Sequence, residues 1–281
     1  MQEVLRHITE AHGYELRTYE PLAGGDINQV FLLKCNNGEL IAKLNTQGRF
    51  PQMFEKEAKG LEVLRATKSF TIPRVLATDN SDEHAYLLLE YLPPATHSAT
   101  SWFAFAEDLA IMHQTSTPTY GLDHDNYIGS LPQHNASSKS ASEFYIQQRL
   151  IPQFTLAETN GFSFDGLEGF YQRVEQELPN GKPSLIHGDL WNGNYMVTAN
   201  NTPVLIDPAV SFSIREMDIA MMQLFGGFPA HAIQAYHENY PMEAQWEERI
   251  PLFQLYYILV HLNLFGSSYL SPVNQILRRF R

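Results

Sequence analysis

The chain has 281 residues, 44% of them hydrophobic and 12% aromatic, which is enough to bury one or two ordinary cores and excludes a disordered segment. A formal net charge of −12 argues against nucleic acid as the main partner, because phosphate recognition needs clustered Lys and Arg to displace counterions. The single cysteine, Cys35, excludes an intramolecular disulfide and reads as a small packed residue.

The N-terminus, MQEVLRHITEAHGYEL, has neither the basic head nor the apolar run of a signal peptide, and its first 13 residues predict a short helix. From Tyr14 the pattern turns to strands: YELRTYEPL, the glycine turn Gly24-Gly25, then QVFLLKC. Asn37-Gly38 predicts a hairpin turn into ELIAKLN. A helix is expected from about Pro51 to Thr67, followed by two further strands, RVLAT and AYLLLEYL. After Pro93-Pro94 the remainder reads as helices, apart from short strands near Tyr195–Val197 and Val204–Ile206. The expectation is therefore an α+β chain with a β-rich lobe over 1–92 and a larger, mostly helical lobe over 93–281. The most apolar stretch, Pro251–Phe265, is broken by Gln254, His261 and Asn263 and is too short for a bilayer. It reads as a buried helix. Arg278, Arg279 and Arg281 read as the basic end of a last helix. No membrane partner and a cytoplasmic location are expected.

The chemistry concentrates in LIHGDLWNGNYMVT, residues 185–198, and in PVLIDP, residues 203–208. Asp189 and Asn194 have four residues between them, the interval of the kinase catalytic loop H-R-D-x-x-x-x-N. Asp207 follows 18 positions after Asp189, at the end of an apolar strand. A strand-end carboxylate and a loop amide can hold Mg²⁺ through hard oxygen ligands while the metal bridges phosphates. The other aspartate is then free to orient an acceptor hydroxyl and take its proton. Taken singly, His-Gly-Asp is a turn and Asp207 a helix cap; the joint spacing is what points to phosphoryl transfer from ATP.

A phosphate-clamping lysine with a carboxylate partner should then lie in the first lobe. Alternation in ELIAKLN sets Leu40, Ala42 and Leu44 on one face and Ile41, Lys43 and Asn45 on the other. In the next helix Phe54, Glu57, Leu61 and Leu64 share a face, and a carboxylate on an apolar face needs a partner. Lys43–Glu57 is the expected pair. Gly24 and Gly25 sit where backbone N–H groups could cover phosphates, although a plain hairpin turn fits them equally. The backbone from Glu90 to Leu92, just before the connector, is placed to meet adenine.

Two absences narrow the acceptor. Gly188 follows His187, where protein kinases carry the arginine that reads a phosphorylated activation loop. No A-P-E segment fits between Asp207 and a helix expected around Arg215–Leu224. A small acceptor without a phosphorylation switch is expected.

The block HGDLWNGN, with IDPA and REMDIAMMQLFGGF after it, resembles the fructosamine-3-kinase (ketosamine-3-kinase) family, relatives of aminoglycoside phosphotransferases. GGDINQVFLL, MFEKEAKGLEVL, DNYIGSLPQHN, RLIPQ and YYILVHLNLFGSSYL extend the likeness over nearly the whole chain. The resemblance implies a two-lobed protein-kinase-like fold and transfer of the ATP γ-phosphoryl group to O3 of a ketosamine, free or protein-bound. The unstable 3-phosphate then releases the amine, which amounts to deglycation. It also implies Asp189 as base, Asn194 and Asp207 as Mg²⁺ ligands, Lys43 as clamp, Glu57 as its anchor, and Trp191 lining the sugar site. The run Val210-Ser-Phe-Ser-Ile-Arg215 departs from the family's Tyr-Gly-His, which bears on acceptor preference. Kinases of aminoglycosides, choline or homoserine, and a non-catalytic nucleotide-binding protein, are the alternatives. A monomer or weak homodimer is expected.

Overall fold

A computed structural model describes every residue except 23–26, 47, 81–83, 99, 180 and 281. The chain folds as an antiparallel β-sheet lobe joined to a larger helical lobe. The sheet contains β1 (Leu16–Pro21), β2 (Gln29–Cys35), β3 (Gly38–Thr46), β4 (Val75–Asn80) and β5 (His84–Glu90), in the order β1-β2-β3-β5-β4. The turn between β2 and β3 is Asn36-Asn37, one residue earlier than expected, because Cys35 pairs with Gly38. Gly38 opens β3 at φ 125°, a conformation only glycine adopts readily.

Alternation along β3 sorts the lobe's two faces. Leu40, Ala42 and Leu44 join Leu33, Tyr86 and Leu88 under Leu5 and Ile8 of α1 (Gln2–Ala11). On the opposite face Ile41, Leu87 and Leu89 meet Phe54, Leu61 and Leu64 of α2 (Met53–Ala66). Lys43 lies on this second face, opposite Leu87. The α2 cluster is continuous with the core of the helical lobe, so one apolar body spans both lobes.

The helical lobe comprises α3 (Ser101–Gln114), α4 (Ala141–Tyr145), α5 (Ile151–Thr159), α6 (Leu167–Glu177), α7 (Glu216–Leu224), α8 (Ala230–Asn239), α9 (Trp246–Phe265) and α10 (Leu270–Arg279). At its centre α9 buries Leu252, Phe253, Leu255, Tyr256, Leu259 and Leu262. It begins five residues before the apolar stretch that predicts it and contains Pro251 in its second turn. Arg278 and Arg279 do occupy the last turn of α10; Arg281 lies outside the described residues.

The expectation that the lobe is otherwise helical needs correction. Two antiparallel pairs of three-residue strands are present beyond those expected, β6 (Asn126–Ile128) with β7 (Leu131–Gln133) and β8 (Ser184–Ile186) with β11 (Ser211–Ser213), while the expected strands are found as β9 (Tyr195–Val197) paired with β10 (Pro203–Leu205). The unexpected strands are too short to leave a periodic pattern of their own. A buried guanidinium, Arg149, ties these pieces together by donating to the His134 carbonyl, Asn135 Oδ1 (2.9 Å) and Ser211 Oγ (3.0 Å). Among the described residues no helix is long and apolar enough to cross a membrane.

Candidate active site

A cavity of about 550 Å³ opens between the lobes. β3 supplies Lys43, α2 supplies Glu57, and two consecutive loops of the helical lobe supply Asp189, Asn194 and Asp207. Lys43 Nζ donates to Glu57 Oε1 (2.6 Å) and to Asp207 Oδ1 (2.5 Å), so one ammonium links the two lobes. Its side chain is almost wholly buried. Burial by itself depresses the ammonium's pKa, but the Asp207 and Glu57 carboxylates outweigh it and hold it raised.

The two loops are stitched to each other. Asn194 Nδ2 donates to the Asp189 carbonyl (2.9 Å), to Asp189 Oδ2 (3.2 Å) and to the Asp207 carbonyl (3.5 Å). With both amide hydrogens engaged, Asn194 Oδ1 remains as an acceptor. The Ile206 N–H bonds the Asn194 carbonyl (3.1 Å), and the Ala209 N–H bonds the His187 carbonyl (2.9 Å). Asp207 itself sits at φ 55°, a left-handed conformation that Asp tolerates better than most side chains. Burial and the nearby Asp207 carboxylate push Asp189 up to about 7.

Among the described residues no three His, Cys, Asp or Glu side chains gather as a metal cage. Asp207 and Asn194, a carboxylate and an amide, line a cavity that is also lined by Asp189. Such a hard, anionic and incomplete donor set suits a Mg²⁺ that keeps phosphate and water oxygens in its remaining positions. The residues present therefore fit that ion.

Groups that position the loop were not evident from spacing. Asp218, fully buried on α7, accepts the His187 N–H (2.7 Å) and the Gly188 N–H (2.9 Å), and contacts His113 Nε2 at 3.2 Å. His187 Nε2 donates to the Ile206 carbonyl (2.9 Å), leaving Nδ1 to accept the Asp189 N–H (3.2 Å). Tyr257 Oη is buried without a partner among the described residues, and Tyr257 lines the same cavity. The signal for Asp218 was a carboxylate between Met217 and Ile219, at the head of the apolar run IAMM.

Glycines fix two close approaches. Gly188 adopts φ 82°, and a Cβ there would lie 2.0 Å from the Ala209 carbonyl oxygen. Gly188→Ala is expected to cost roughly 3 kcal/mol or more through combined strain and collision. Thermal melting checks this: the midpoint should fall by about 10 °C, and a near-native midpoint contradicts the reading. At Gly193 a Cβ would meet the Trp191 ring at 2.3 Å, so that ring lies across residue 193. Trp191 is 40% exposed and lines the cavity rather than packing in the core. Gly193→Ala should displace the ring and raise the acceptor's KM about tenfold, with the ATP KM unchanged; steady-state kinetics in both substrates checks it.

The structure thus brings together Asp189, Asn194, Asp207, Lys43, Glu57 and Trp191. Gly24 and Gly25 lie outside the described residues, and the neighbouring Asn28 lines the cavity. Glu90 and Leu92 do not line it; the Glu90 carboxylate accepts from Arg74 Nε (3.1 Å) and the Arg74 N–H (3.2 Å). The segment between Asp207 and α7 is eight residues long and is pinned by β11 against β8, which leaves no room for a peptide-docking segment.

Comparison with known proteins follows the geometry. The family model described as fructosamine kinase matches residues 1–281. A protein of Enterococcus faecium named "Probable ketoamine kinase" is 38% identical over 266 residues, covering 92% of this chain and 94% of its own. The crystal structure of a "Putative fructosamine-3-kinase" from Haemophilus somnus is similar over 100% of this chain and 97% of its own, at 30% identity and TM-score 0.91. The spectinomycin phosphotransferase APH(9)-Ia, solved with ADP and spectinomycin, shares the fold alone, at 14% identity and TM-score 0.61 over 99% of this chain and 93% of its own.

Proposed function

The chain belongs to the fructosamine kinase family and is a phosphotransferase acting on hydroxyl groups, and on that premise we propose that it phosphorylates O3 of a fructosamine- or ribulosamine-type ketosamine. The observation that carries this reading is one cavity lined both by charged, phosphate- and metal-suited groups and by exposed aromatic rings. Lys43, Asp189, Asn194 and Asp207 line it together with Trp191, Phe225 and Phe265, three large aromatic side chains that are 40%, 44% and 55% exposed. Among the described lining residues Lys43 is the only Lys or Arg, which disfavours an acceptor that already carries a phosphate.

In this reading Asp189 orients the acceptor hydroxyl and receives its proton as O3 bonds to the γ-phosphorus and ADP leaves. Lys43, anchored by Glu57, contacts the nucleotide phosphates. Asn194 Oδ1 and the Asp207 carboxylate would hold Mg²⁺, which supplies charge neutralisation on the triphosphate. The backbone from Glu90 to Leu92, where the lobes divide at Leu92–Pro93, is proposed to meet adenine beyond the lining described above. Loss of the 3-phosphate with release of the amine makes the outcome deglycation. We place the enzyme in the cytoplasm as a monomer or weak homodimer.

An ADP-release assay over fructosamine, ribulosamine, an aminoglycoside, choline and homoserine, with and without Mg²⁺, tests the reading. Mg²⁺-dependent turnover confined to the ketosamines is expected. Turnover of another acceptor only, or Mg²⁺-dependent ATP binding without turnover, overturns it.

A further inference from the structure

His261 is a polar residue on the apolar helix α9, partly buried and lining the cavity. Its Nδ1 lies 2.7 Å from the Tyr257 carbonyl one turn earlier. A carbonyl only accepts, so Nδ1 carries the hydrogen. Burial lowers the imidazole's pKa and keeps the ring neutral near pH 7. Nε2 is therefore a bare lone pair, with no protein hydrogen bond among the described residues. Three rings surround the imidazole: Phe225 at 4.7 Å between centroids, Tyr269 at 5.2 Å and Phe265 at 5.4 Å. Phe225 and Phe265 are 44% and 55% exposed, so this aromatic group is open to a ligand.

A hydrogen-bond acceptor among π faces, with no guanidinium or ammonium in contact with it among the described residues, is chemically selective. Ring quadrupoles attract a cation, and a neutral imidazole nitrogen accepts the N–H that such a cation carries. We propose that His261 is a specificity-determining residue whose Nε2 receives the N–H of the acceptor's secondary ammonium group, beside the rings of Phe225, Phe265 and Tyr269. The acceptor class is thus an N-alkylated amino sugar, held by its amine as well as by its sugar. This deepens, and rests on, the ketosamine reading above.

The test compares two acceptors: an N-alkyl fructosamine, and the same sugar carrying an alkoxy group in place of the alkylamino group. Wild type should prefer the amine, and His261→Phe should raise its KM by ~10–100-fold while the KM values for the ether and for ATP stay within about twofold. His261→Gln, which restores an acceptor oxygen, should recover most of the preference. The amine-to-ether ratio does not depend on the fraction of active enzyme, so partial misfolding cannot imitate the result. No preference in the wild type, or equal changes for both sugars in His261→Phe, overturns this inference alone. A wild type that phosphorylates neither sugar overturns the functional reading and the inference with it.

Discussion

Replacing Asp189 by Asn is expected to lower kcat by about 10²–10⁴-fold and to leave the KM for ATP within about twofold. The substitution keeps size and the capacity to accept from Asn194 Nδ2, which holds the loop at 3.2 Å. It removes the negative charge and the ability to take a proton. Lys43, Asn194 and Asp207, the groups assigned to the nucleotide, are untouched. Folding should also survive, because the loop's main-chain bonds to Asp218 do not involve the residue 189 side chain. Single-turnover kinetics with separate ATP titration makes the measurement. Near-normal turnover would refute Asp189 as the base.

Substitution at Asp207 should fail in a different way. Asp207→Asn and Asp207→Ala are both expected to weaken ATP binding by about 100-fold or more, because the carboxylate is the only one of the proposed metal ligands that carries charge. The stabilisation that ATP and Mg²⁺ give the wild type in thermal melting should disappear in both. The two variants part on intrinsic stability. Position 207 is left-handed, which Asn accepts and Ala resists, so Ala should cost about 1 kcal/mol more. ATP-dependent stabilisation retained in either variant counts against the metal assignment.

Lys43, Asp189, Asn194 and Asp207 were legible because each stands on a short local pattern: an alternating strand, a fixed loop interval, or a strand end. Glu57 was legible through a charge argument, an acidic side chain on an apolar helix face. The same argument applied to Asp218 and His261 would have singled both out, since each interrupts a run of buried residues on its helix. What escaped was pairing at long range. Ser211–Ser213 reads as nothing in isolation, and becomes a strand only because Ser184–Ile186 lies alongside it. Gly188 was noted for the arginine it replaces; its reason is steric and lies 21 residues away, at the Ala209 carbonyl.

That collision bears on the chain's evolutionary reach. Protein kinases sense phosphorylation through a basic side chain at this position, yet here one mutational step toward such a sensor meets backbone at 2.0 Å. The crossing segment would have to be rerouted before any side chain could enter. The lineage is thereby cut off from acquiring that mode of control by gradual point substitution.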